Sequence, residues 1–160
     1  MQRTRQRCAP LTVGVRRHTP YTIHHTHGEI VAESQRIAAL LEKLINQPKS
    51  SFPKARGRVE APDRAGVYVI RNKVGKVMYV GRTTRAKGGL HQRLRNHLAG
   101  RSVFARALKP DGPASLRSGY TFQYLVVEKS RTRALLEQLA TGTLCPKHLG
   151  LGLLAEESDA

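Results

Sequence analysis

The sequence predicts an α+β fold: a small three-stranded, mainly antiparallel sheet flanked by helices, with a basic arm and one further helix in front of it. Three observations predict this. Residues 66–81 adopt a period of two, in runs rich in β-branched and aromatic residues. A narrow leucine stripe at helical spacing follows at 90–98. A second alternating run at 120–128 then gives way to another helical segment. The resulting order, helix, strand, strand, helix, strand, helix, can bury a sheet only by covering it with helices, and 160 residues suffice for one domain with an extension.

Residues 1–25 are rich in Arg and free of acid, and they read as a basic, flexible arm. Residues 26–47 form the first helix: Thr26 and Glu29 have capping-box spacing, and Ile30, Ile37, Leu41 and Leu44 recur near 3.6 residues. Residues 48–64 concentrate Pro, Ser, Gly and Arg, the signature of an irregular linker. The main domain then spans 65–150, with 151–160 as a tail. Within it, "GVYVIR" and "VMYVG" flank the turn sequence "NKVGK", which makes an antiparallel hairpin. Parity puts Tyr68 with Ile70 on one face, Val67 and Val69 on the other, and Tyr79 with Val77. Leu90, Leu94 and Leu98 define the next helix. "KPDGPASLRSGY" is a loop, and "YTFQYLVVE" is the third strand, with Phe122, Tyr124 and Val126 alternating against Gln123, Leu125 and Val127. The last helix runs from a Ser130 cap to Gly142.

Lys and Arg outnumber Asp and Glu by 28 to 11, a formal net charge of +17. Such an excess raises a positive potential over much of the surface, and a polyanion is its natural partner. No apolar run approaches the roughly eighteen residues of a membrane-spanning helix, and no lipidation motif occurs. Nucleic acid is therefore the expected partner and a membrane is not. Cys8 and Cys145 lie far apart and form no metal-binding or redox pair, so a reducing cytoplasm is the expected location. His24, His25 and His27 lack a second ligand pair at zinc spacing and fall where the first helix starts, which favours a solvated or capping role.

Few residues in the domain can carry chemistry. Correct register would let the hydroxyls of Tyr68 and Tyr79 emerge on one side of the hairpin, although a strand tyrosine is more often simple cross-strand packing. Arg93 and His97 stand four residues apart and project together beside the leucine stripe. They pair a permanent charge suited to phosphate with a group that titrates near neutrality; a merely basic helix face would look the same. Gly66 and Gly81 permit close backbone approach, to a phosphate or to a packed helix. Glu137 is one of few acids, and helical angles place it well round from the apolar face of "ALLEQL", toward solvent.

Gly66-Val67-Tyr68 and Tyr79-Val80-Gly81, with ten residues between the tyrosines, resemble the two strand motifs of the GIY-YIG nuclease superfamily. Arg93 with His97 one turn later, and Glu137 in "RALLEQL", match that family's arginine, histidine and metal-binding glutamate. The resemblance covers residues 65 to about 149. This sequence departs from the pattern in two places: Val80 stands at the centre of the second motif, a mild change, and no Asn follows Asn96, so the family's asparagine after the glutamate is missing, with His148 in that neighbourhood.

The resemblance implies a divalent-metal-dependent DNA endonuclease that hydrolyses phosphodiester bonds by in-line attack of water. Glu137 would hold Mg2+ or Mn2+, Arg93 would bind the phosphate, and Tyr68, helped by Tyr79, would act as base. A phenol of normal pKa is protonated at neutral pH, so His97 or Lys76 would have to assist it. Arg82, Arg85, Lys87, Arg95 and Lys76 are the expected DNA contacts, no organic cofactor is called for, and the protein would sit on the nucleoid when bound. A lone site that must cut two strands requires a homodimer or sequential nicking. The alternatives are a non-cleaving nucleic-acid-binding module on the same fold and a basic RNA-associated protein.

Overall fold

The computed structural model describes residues 27–54, 57–84, 87–108 and 112–150, with side chains from residue 31 onward. The arm, Thr26 and the tail lie outside the described residues, as does the Glu29 side chain, so the capping pair is not described. Helix α1 (His27–Ile45) leads into strand β1 (Ser50–Ser51), and the hairpin strands are β2 (Gly66–Arg71) and β3 (Val77–Arg82). Helices α2 (Gly89–Leu98) and α3 (Val103–Ala107) and a 3-10 turn (Gly112–Arg117) follow, then β4 (Thr121–Val126) and α4 (Ser130–Leu144).

The sheet has four strands, in the order β1-β4-β2-β3, where the sequence predicts three. All described pairings between strands are antiparallel. The extra strand is two serines paired with Thr121 and Phe122, too short and too polar to show a period. It is set in place by its neighbour Phe52, which is buried with its ring centroid 4.9 Å from that of Phe122. The end of α1 is tied to the same strand, because the buried Gln123 amide donates to the Ile45 carbonyl at 2.9 Å. Burial of Gln123 is satisfied by such bonds, as a buried amide requires.

Two apolar clusters sandwich the sheet. Tyr68, Ile70, Tyr79 and Phe122 face α2, α3 and the 3-10 turn, packing on Leu90, Leu94, Phe104 and Leu116. Val67, Val69, Val77 and Val80 face α1 and α4, meeting Ile37, Leu41, Leu44, Leu136 and Ala140. Hence Ile37, Leu41 and Leu44 of α1 and Leu90, Leu94 and Leu98 of α2 face the core as expected, whereas Leu139 of α4 is exposed and the Ile30 side chain lies outside the described residues. Val77 is a correction: it does not share a face with Tyr79. The pairing shifts register between Ile70 and Arg71, where Val77 lies opposite Arg71, and a bulge of this kind reverses the parity beyond it. Two further differences are local. The segment 103–107, left without an assignment by its mixed pattern, is a short helix capped by the Ser102 side chain, which accepts from the Ala105 N–H. At α4 the capping position is Lys129 and Ser130 is already helical.

Candidate active site

The site is assembled on the hairpin. Tyr68 pairs with Gly81, and Tyr79 with Ile70, so both rings lie on the face covered by α2, their centroids 6.1 Å apart. Gly81 is the slot that lets them meet: a Cβ there would stand 2.6 Å from the Tyr68 hydroxyl and 2.7 Å from the Tyr79 ring. A Cβ on Gly66 would run into the Leu125 carbonyl and stand 2.8 Å from Leu90. Both glycines serve packing of the domain on itself.

Helix α2 delivers Arg93 and His97 to one atom. His97 Nε2 lies 2.7 Å from the Tyr68 hydroxyl, and the Arg93 Nε–H donates to the same oxygen at 3.3 Å. On its other side, His97 Nδ1 is 2.6 Å from the Ser102 Oγ. Ser102 therefore holds the histidine and caps α3 together, and sequence reasoning missed it; a serine ahead of "VFARA" is the signal that could have found it. His97 meets the rings of Tyr68, Tyr79 and Phe104 edge-on, each with centroids 5.5 Å apart. Phe104 stacks on Tyr79 at 4.8 Å.

Burial decides the charges. Tyr68 is fully buried, which corrects the expectation of an emergent hydroxyl, and its pKa is pushed up by desolvation first and by Tyr79 next. Arg93 pulls the other way through charge and hydrogen bond, and loses. His97 is fully buried too and is held down to about 3, by desolvation and then by the Arg93 charge. It is neutral at physiological pH. The Arg93 pKa rises because of Tyr68 first, with Tyr79 also contributing. Neither His97 nor Lys76 is among the groups that lower the Tyr68 pKa, so the help expected from them has to take another form.

Glu137 comes from α4, beside the fully buried Leu136, and is only 27% exposed. Its Oε2 accepts from the Arg82 Nε–H at 2.6 Å. Its charge also acts on Tyr68, raising the phenol pKa, which puts the carboxylate within electrostatic reach of the ring hydroxyl. The solvent-facing position read from helical angles is thus corrected: β3, the edge strand beneath α4, supplies a partner that periodicity within one helix cannot see. Arg82, expected on DNA, has its Nε committed to this carboxylate. Lys87 is exposed ahead of α2, Lys76 is exposed in the hairpin turn, Arg95 is exposed on α2, and Arg85 lies outside the described residues.

His148 belongs to the site's border. Its backbone N–H donates to the Met78 carbonyl at 3.0 Å, it bridges to Tyr79, and its ring contacts Phe104 at 5.6 Å. Burial, followed by the Lys147 charge, lowers its pKa.

A hairpin bearing two tyrosines, a helix bearing arginine and histidine, and a later helix bearing glutamate define a class: a small α+β nuclease domain. Residues 64–141 match the family described as the GIY-YIG catalytic domain, so this segment is similar to the GIY-YIG nuclease superfamily. Among solved structures, the chain is similar to the GIY-YIG N-terminal endonuclease domain of UvrC from Thermotoga maritima bound to its catalytic divalent cation, magnesium. The identity is 25% and the TM-score 0.39, over 55% of this chain and 85% of that one. A tyrosine-to-phenylalanine point mutant of the same domain is similar at 25% identity and TM-score 0.39, over 55% and 84%. No curated protein matches the chain.

Proposed function

We propose that this nuclease domain cuts DNA, hydrolysing phosphodiester bonds by in-line attack of water with a divalent cation bound at Glu137. The observation that carries the reading is the meeting of Arg93 and His97 on the Tyr68 hydroxyl. A structural tyrosine needs one hydrogen-bond partner; this one has a cation and a neutral imidazole, which is an arrangement for moving a proton beside an anion.

Among the described residues no group of three or more His, Cys, Asp or Glu gathers. The donor set fits Mg2+ or Mn2+ nonetheless, because a hard cation often takes one carboxylate and completes its shell with water and substrate phosphate. Bound at Glu137, it would supply charge to the pentacovalent phosphorus and the departing oxygen. In the structure Arg82 balances that carboxylate.

The chain's own groups do the rest. Arg93 attracts the phosphate and brings it next to the phenol it already touches. Burial keeps Tyr68 protonated, so a standing phenolate is not the base. Instead Tyr68 accepts a proton from the attacking water as it passes its own to His97 Nε2. That nitrogen has a free lone pair when Nδ1–H donates to the Ser102 oxygen, the tautomer consistent with Ser102 also accepting from Ala105. Burial is the larger cause of the low His97 pKa and the Arg93 guanidinium the smaller; phosphate charge at Arg93 offsets the second, so substrate raises the basicity of the acceptor.

The test is nicking of supercoiled plasmid with and without Mg2+. Wild-type protein nicks only with the metal, while Glu137→Ala and Arg93→Ala lose cleavage and still bind DNA. The full burial of Tyr68 favours a second reading, a binding module that does not cut. It wins if wild-type protein with Mg2+ only shifts DNA on a gel.

A further inference from the structure

A second basic feature lies away from the tyrosines. The connection between β1 and β2, helix α2 and the 3-10 turn enclose a cleft of about 590 Å³, lined by Arg58, His91, Arg95 and Arg117 together with Val59 and Gly57. Among the described residues no carboxylate lines it. The guanidinium groups of Arg58 and Arg95 have no hydrogen bond or ion pair among the described residues. Arg117 is fixed at the wall, its Nη1 donating to the Pro53 carbonyl at 2.8 Å and to that of Lys54. His91 is pinned in the same way, its Nδ1 lying 3.1 Å from the Val59 carbonyl.

Three guanidinium groups brought to one cleft without a counter-charge repel one another, and an anion relieves that repulsion. Their planar forks match phosphate oxygens in pairs. The volume exceeds what one inorganic phosphate fills and falls in the range of sites that hold a larger ligand. Position adds to the case. At 3.6 residues a turn, His91 and Arg95 lie roughly 160° round α2 from Arg93 and His97. The two faces are one helix diameter apart, roughly 10–12 Å, about three base steps of axial rise at 3.4 Å each.

We propose that this cleft is a second phosphate-binding site, gripping the backbone of the DNA strand near the phosphate that Arg93 receives. The proposal rests on the nuclease reading for its ligand: α2 holds the cut phosphate on one face and a neighbouring stretch of backbone on the other.

The experiment measures binding of a labelled duplex by fluorescence anisotropy over a range of NaCl, without divalent metal. Arg58→Ala/Arg95→Ala is compared with wild type and with Arg36→Ala/Lys43→Ala, which removes two exposed charges from α1 on the other side of the sheet. All four side chains are exposed, and unchanged thermal melting confirms the fold of each variant. The cleft variant is expected to lose roughly tenfold in affinity and to lower the salt slope by about 1–2, one unit per lost phosphate contact; the α1 variant changes little. Equal losses in the two variants overturn the proposal. So does a cleft variant that loses competition by inorganic phosphate while duplex binding stays at wild-type strength, since the site would then serve free phosphate. Metal-dependent nicking by wild-type protein is scored separately: its absence removes the nuclease reading, and the anisotropy result still decides the cleft.

Discussion

Gly81 sits under two tyrosine rings, and this is where a single atom does most to shape the site. Gly81→Ala forces a methyl group to within 2.6 Å of the Tyr68 oxygen, an overpacking expected to cost about 1–3 kcal/mol. It also pushes the phenol off His97, so nicking is expected to fall further than the melting temperature explains. His97 makes a different prediction. Its pKa is about 3 in the folded protein against an ordinary 6.5, so above pH 6.5 the imidazole is neutral in both states and its burial costs nothing. As pH falls below 6.5 the unfolded chain takes up a proton that the folded chain refuses, and stability drops by about 1.4 kcal/mol per pH unit until about pH 3. Urea midpoints of wild type and His97→Gln between pH 7 and 5 should diverge accordingly, the wild type losing about 2 kcal/mol more; parallel curves would contradict the buried neutral imidazole. Tyr68, Tyr79, Arg93 and His97 were legible because their spacing within short motifs survives folding unchanged. What they touch was not: Ser102 becomes the partner of His97 only through a turn after α2, and no local pattern announces that a motif tyrosine will be wholly enclosed.

At the scale of elements, the ion pair of Arg82 and Glu137 joins β3 to α4 across 55 residues of chain. A pair this exposed, 32% and 27%, contributes about 0–1 kcal/mol to stability. Its larger consequence is competition, because the carboxylate proposed above to hold the divalent cation is the one the guanidinium holds. Arg82→Ala should therefore lower the Mg2+ concentration for half-maximal nicking by up to about fivefold, with melting nearly unchanged; a higher Mg2+ requirement would show that Arg82 helps to build the site. Helices α1, α2 and α4 and three of the strands were legible from periodicity, since a stripe of Leu90, Leu94 and Leu98 or an alternation such as Phe122, Tyr124 and Val126 records residues that share one face. Strand β1 was hidden because its two serines carry no apolar record; Phe52 beside them bears the energy. The parity of Val77 was hidden because a bulge is set by pairing with Arg71, and a one-dimensional period has no way to register it.

For the whole molecule, the question is why α1, outside the matched residues 64–141, is needed at all. Leu136 and Ala140, on the helix that carries Glu137, are fully buried in one cluster with Ile37, Leu41 and Leu44 of α1 and the sheet valines. Remove that layer and α4 presents an apolar face to water, so the carboxylate loses the rigid mount that fixes it over β3. The expected consequence is separable by measurement. Leu44→Ala, at a fully buried position whose neighbours lie on the face opposite the tyrosines, should cost about 2–5 kcal/mol, lowering the melting temperature by about 4–20 °C at this size. Well below that temperature α4 is still docked, so nicking with Mg2+ should run at the wild-type rate; on warming it should fail earlier, in step with unfolding followed by circular dichroism. A variant that nicks slowly even when cold and fully folded would mean that α1 sets the position of Glu137 directly, and that the catalytic unit extends beyond the segment that carries its motifs.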